Sequence, residues 1–319
     1  MLTLFFCMAV GFVAIKTGIL PETAGKTLAK AETWIFFPAL CFMTMVRNCT
    51  VDSLSTHATN VLLCAVGVAV AIGLSLLLVR FFAKKGTAEE GVFAYALAFA
   101  NSGYMGDPVV LALFGEGVLA YYKLYCLPLT LLIYTWGIHV LTPKGEKKGA
   151  LLKNLLNAPT VAMFAGIAVG LSGLGGYLPT FLTGALDSLK ACMGPAAMLL
   201  AGITIARYPM REMLKNKKVY AVTTLRLTLL PAAVVAVVCG VKTLANMAFG
   251  LSIGNDVLFL SFFATASAIG LNTVVFPEAF GGNPKTGAAM TMISHTLCIF
   301  TIPLLYALLV YLFGVPFGG

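Results

Sequence analysis

Charge is what this sequence has least of. Of its 319 residues, 10% are Asp, Glu, Lys or Arg and 60% are apolar. Soluble domains carry about a quarter charged residues. A chain this poor in charge cannot cover a water-facing surface, so it needs lipid as its solvent. It also lacks HExxH, GxSxG and Walker A patterns, which argues against the common zinc protease, hydrolase and ATP-driven readings. No CxxC or Cys/His ligand spacing is present, and the eight cysteines read as small apolar fillers. The net charge is +9, but no arginine-rich tract or nucleic-acid motif accompanies it, so nucleic acid is not an expected partner. The opening MLTLFFCMAVGFVAI lacks a basic leader and a small-residue cleavage site, and is expected to be a retained helix.

What the chain does have is long apolar runs. A bilayer core takes roughly 20 apolar residues per helix, and only helices or closed barrels satisfy their backbone in lipid. The runs are too long and too uniform for barrel strands. Ten are expected to span: 2–17, 29–46, 60–82, 91–114, 117–141, 158–173, 180–206, 219–241, 255–280 and 286–313. Sixteen of the 21 Lys and Arg flank odd-numbered connections, while the even ones hold only Arg47 and Lys242. That asymmetry places the odd loops in the cytoplasm and both termini outside the cytoplasmic membrane.

Internal similarity divides the chain. AVG at 9–11, LP at 20–21 and PAL at 38–40 return as AVG at 168–170, LP at 178–179 and PAA at 195–197. Each half holds five runs, an odd number, so the second must enter the membrane in the opposite direction. The expected organisation is a repeat at 1–141, a cytoplasmic loop at 142–157 and an inverted repeat at 158–319: an all-α integral membrane fold of 5+5 helices.

The fourth and ninth runs are interrupted at their centres. The fourth holds Asn101, Ser102, Gly103, Gly106, Asp107 and Pro108; the ninth holds Ser267, Gly270, Asn272 and Thr273, with Pro277 later. Gly and Pro unwind helices, and unwound backbone at mid-bilayer is tolerated only beside protein or a water-filled cavity. Paired interrupted helices in equivalent places are the best sequence pointer to a transport site. Close helix packing and a simple kink are the bland alternatives. Asn101, Ser102, Gly103, Ser267, Gly270 and Asn272 are the expected substrate-binding residues, and Gly106, Pro108 and Pro277 the expected helix breakers.

NSGYMGDPVVLALFG (101–115), NLLNAPTVAMFAGI (154–167), LKACMGPAAMLLAGITIA (189–206) and NTVVFPEAFGGN (272–283) resemble motifs of the auxin efflux carrier family. The resemblance implies a ten-helix carrier of inverted 5+5 design with crossed, broken fourth and ninth helices. It also implies a carboxylate substrate, since bacterial members of that family are described as malate or malonate permeases and plant members export auxin. The short loop at 142–157 matches the prokaryotic type. Two positions depart from the pattern: Ala268 stands where many relatives carry proline, and Asp107 precedes Pro108 where the family is commonly apolar.

Six charged residues fall within or near the expected spans, and each is a functional hypothesis by default. The structural alternatives are snorkelling for Lys123 and Arg226, mutual neutralisation at i,i+3 for Asp187 and Lys190, and a place at the cytoplasmic rim for Glu278. Asp107, in the break, is the expected ion-coupling residue, for a proton or sodium. No other cofactor is expected. His57, His139 and His295 are read as loop, helix-end and packing residues. The expected function is secondary transport of a small organic anion across the lipid bilayer, not enzymatic catalysis. An intramembrane enzyme or a receptor or anchoring subunit is the alternative. The oligomeric state stays open, a homodimer being one option.

Overall fold

In the computed structural model, residues 2–142, 158–208, 211, 215–280 and 284–317 are described. The expected loop 142–157 falls outside them except for its first residue, as do Gly281 and Gly282. Every regular element among the described residues is helical, apart from one isolated antiparallel bridge between Ala100 and Ile269.

Helix α1 is Leu2–Lys16. Helix α2 covers 24–48 and contains a π-helical turn at Glu32–Phe36. Helix α3 is Val51–Leu78, extended by a 3-10 turn at Val79–Phe81. Helix α4, Ala88–Ala98, begins where the sequence TAEE provides a cap: Thr87 accepts from the Glu90 N–H at 3.3 Å, and Glu90 accepts from the Gly86 N–H at 2.6 Å. A π turn at Ser102–Gly106 leads into α5, Asp107–Tyr125. Gly115, at φ +83°, kinks α5 in two, which a residue with a Cβ would resist.

Helix α6 covers 127–141, with a π turn at Ile133–Gly137. The second half holds α7 (Ala158–Leu171), α8 (Thr180–Arg207), α9 (Lys217–Leu227), α10 (Leu229–Phe249), α11 (Asp256–Ala266), α12 (Asn272–Phe280) and α13 (Lys285–Phe313).

Helices thus occupy each of the ten apolar runs. By length and composition, four among the described residues could cross a membrane unaided: Ala58–Phe81, Thr180–Arg207, Lys217–Phe249 and Lys285–Phe313. A fifth follows if Gly117–Tyr125 and Leu127–Leu141, bent by 50°, form one span.

Helix α1 packs along α8, and α7 along α2. The first pairing is very close. A Cβ on Gly202 would strike the Met8 carbonyl oxygen, and one on Gly11 that of Leu199. Small residues let helix backbones approach where lipid supplies no hydrophobic driving force. Two segments lie in the middle of the bundle, because Val92–Ala98 of α4 and Val257–Ala266 of α11 are buried on every face. Both lead directly into the interrupted stretches. None of the eight cysteines forms a disulfide.

Candidate functional site

The two interruptions meet. Helix α4 ends in extended backbone at Phe99, and α11 does the same at Ser267. Each break supplies hydrogen-bond partners for the other. The Asn101 N–H donates to the Ala268 carbonyl at 2.7 Å, and the Gly270 N–H to the Phe99 carbonyl at 3.3 Å. The Ile269 N–H donates to Ser294 Oγ at 3.1 Å. Chain directions oppose, with Ala100 facing Ile269. Buried backbone groups must find partners, and here two short antiparallel segments provide them. The bond at residue 268 uses the carbonyl, which a proline there would keep.

Beside this crossing lies a cavity of about 650 Å³. The breaks contribute Asn101, Ser102, Gly103, Gly270 and Asn272 to its wall. Helix α2 adds Phe37, Leu40 and Arg47; α5 adds Asp107, Tyr122 and Lys123; α6 adds Ile133 and Tyr134; α8 adds Asp187, Lys190 and Pro195. Most of this lining is apolar, with a few polar and charged groups converging on it, as is usual for a small-molecule site.

The two asparagines are held by aromatic partners. Asn272 Nδ2 lies 2.7 Å from the Tyr95 hydroxyl, and its Oδ1 is buried without a hydrogen-bond partner among the described residues. A half-turn of that amide would let Tyr95 O–H donate to Oδ1 and leave the N–H groups for a ligand. Asn101 Nδ2 lies 3.1 Å from His295 Nε2, while His295 Nδ1 lies 2.8 Å from the Thr291 carbonyl. A carbonyl only accepts, so Nδ1 carries the proton and Nε2 accepts from Asn101. Gly103 is open: a Cβ there would meet nothing within 4 Å.

The family described as membrane transport protein matches residues 1–306. The chain belongs to that family, the auxin efflux carriers. An uncharacterized transporter of Methanocaldococcus jannaschii is 24% identical over 213 residues, covering 64% of this chain and 68% of that one. With its long apolar helices, this auxin efflux carrier family member is a multi-pass membrane protein.

Several expected site residues sit elsewhere than the sequence suggests. Ser267 does not border the cavity; its hydroxyl donates back to the Phe263 carbonyl at 3.3 Å. Gly106 and Pro108 do not break the helix. Gly106 has helical backbone and Pro108 lies in the first turn of α5, where a missing N–H is harmless. The chain is already interrupted at 99–101. Gly106 instead makes room for Tyr122, whose hydroxyl would lie 2.7 Å from a Cβ. Pro277 lies inside α12, past the interruption. Asp107 is the first residue of α5 rather than part of the break, and its carboxylate accepts from Lys123 across the Gly115 kink.

The other charges are corrected too. Lys123 does not snorkel; it pairs with Asp107. Asp187 pairs not with Lys190 but with Arg47, at 2.5 Å. Arg226 is fully buried rather than reaching for an interface, and its guanidinium nitrogens have no hydrogen-bond partner among the described residues. Glu278 is largely buried and pairs with Arg207 at 2.5 Å. Arg47, Tyr95, Tyr122 and Tyr134 were not expected in the site, because they look like loop or filler residues until the helices close around the cavity. Glu32, which does not line the cavity, was not expected either; it is a fully buried carboxyl group on a π turn, with no hydrogen-bond partner among the described residues. Its place inside an apolar run was the available signal.

Proposed function

We propose that this protein is a secondary active transporter of a small organic anion, a carboxylate, across the cytoplasmic membrane by alternating access. The observation that carries this reading is the cavity at the crossing of the two breaks, where Asn101 and Asn272 meet a largely apolar wall that also carries charged side chains. The two amides donate to an anion without adding a further fixed charge at mid-bilayer. Membership of a transport family favours a carrier over an enzyme, receptor or anchor.

Such a carrier would have an inverted 5+5 repeat of ten spans, in which α4 joins the first part of α5 and α11 joins α12 across their breaks. Equivalent glycines support it. Gly11 presses on the Leu199 carbonyl of α8, and Gly170 on the Cys49 and Met45 carbonyls at the end of α2. Helices α2 and α8, which would be equivalent, run antiparallel. Arg47 at the end of one meets Asp187 near the start of the other, while Gly25 near the start of α2 lies by Arg207 at the end of α8. The lysine-rich odd loops would be cytoplasmic and both termini outside. Asp107 would couple transport to a proton or sodium, because a cation on its carboxylate would remove the repulsion between that carboxylate and the anion.

Proteoliposome uptake tests the function, preceded by a thermal-shift screen of the purified protein against carboxylates. Stabilisation by at least one carboxylate and its saturable uptake are expected. Absence of both across mono- and dicarboxylates rejects the reading.

A further inference from the structure

The cavity wall carries five charged side chains: Arg47, Asp107, Lys123, Asp187 and Lys190. Four of them are matched. Arg47 pairs with Asp187, and Lys123 with Asp107. Three cations against two carboxylates leave a net charge of +1, and the geometry assigns that charge to Lys190, which has no ion pair among the described residues. Lys190 stands one turn beyond Asp187 on α8, so both project from the same face of the helix towards the cavity.

We infer that Lys190 is the countercharge of the transported anion and fixes its charge at minus one, so that the substrate is a monocarboxylate with an apolar body. The inference rests on the anion-transport reading and adds the residue and the charge class. An unpaired ammonium beside an apolar wall is costly, and an arriving carboxylate removes that cost. One carboxylate suffices. A second would leave the cavity with a net charge of minus one: Asn101 and Asn272 would offer it only neutral donors, Phe37, Leu40, Leu111 and Ile133 none, and the other cations are already held by Asp107 and Asp187. Burying an uncompensated charge is strongly unfavourable. The same apolar residues suit a hydrocarbon or aromatic body, whose burial strengthens binding.

Binding to the purified full-length protein tests this with three probes: hexanoate, its neutral amide hexanamide, and succinate. The wild type should bind hexanoate more tightly than either of the others. Lys190→Gln should weaken hexanoate by roughly tenfold to a hundredfold, the loss expected when a charge-assisted bond is removed. It should leave hexanamide nearly unchanged, so that the two ligands become similar. Lys190→Arg should restore most of the preference for hexanoate. A lysine with only a structural role would lower thermal stability without changing the hexanoate-to-hexanamide ratio. Lys190→Met repeats the test should Lys190→Gln not fold. Carboxylate binding with an unchanged ratio, or tightest binding of succinate, overturns the inference and leaves the transport reading standing. No binding of any carboxylate by the wild type overturns both.

Discussion

Arg207 Nη1 lies 2.5 Å from Glu278 Oε1, and the pair sits over Gly25, where a Cβ would come within 3.0 Å of the arginine and 3.2 Å of the glutamate. One contact thereby ties the end of α8 to α12 and to the start of α2. At the other end of α8, Asp187 is held by Arg47 in a much more exposed pair, with side chains 36% and 51% accessible. Buried partners left alone cost about 1–3 kcal/mol, and exposed ion pairs are worth about 0–1 kcal/mol. Glu278→Gln is therefore expected to lower the melting temperature in detergent clearly more than Asp187→Asn. Equal effects would show that the Arg207 pair is no better shielded than the Arg47 pair.

Close backbone contact between α1 and α8 predicts intolerance at Gly202. An added methyl would strike the Met8 carbonyl, which cannot rotate away. Overpacking of this kind costs about 1–3 kcal/mol. Gly202→Ala should lower the melting temperature by several degrees, whereas Gly184→Ala, with nothing within 4 Å of its Cβ, should not. Thermal unfolding of the two variants side by side is the check.

Asn101→Ala and Asn272→Ala should each weaken carboxylate binding by roughly tenfold to a hundredfold, the loss of about 1–3 kcal/mol of donor interaction. Calorimetric titration measures it. Unchanged affinity in both variants would remove the crossing from the binding site.

Asp107→Asn keeps the size of the side chain but cannot ionise, and it leaves Lys123 without its partner. The expected outcome is a carrier that still exchanges substrate between the two sides of a proteoliposome but no longer responds to an imposed proton or sodium gradient. A variant with wild-type dependence on both gradients would make Asp107 a helix-start residue only.

Orientation is checked by cysteine labelling in a cysteine-free background. A membrane-impermeant reagent applied outside should label position 319 and not position 146. The reverse pattern would invert the topology.

The sequence by itself determined the solvent, the element type and the place of the interruptions. Apolar runs in a chain so poor in charge must satisfy their backbone internally, which makes helices, and the Gly, Asn and Ser that cluster from 101 and from 267 onward lie at or beside the places where two of them fail. Those are local consequences of hydropathy and backbone freedom, so they can be read along the chain. Partnership is a different matter. That Asn101 bonds to the backbone of residue 268, that Asp107 faces Lys123 beyond a kink, and that Asp187 turns from its own neighbour to Arg47 all depend on which helices lie side by side. Spacing along one helix could not foresee them, because an ion pair forms with the nearest opposite charge in space. Lys190 looked neutralised at i,i+3 for that reason; only the packed bundle, by giving Asp187 to Arg47, left it at the cavity wall without an ion pair among the described residues.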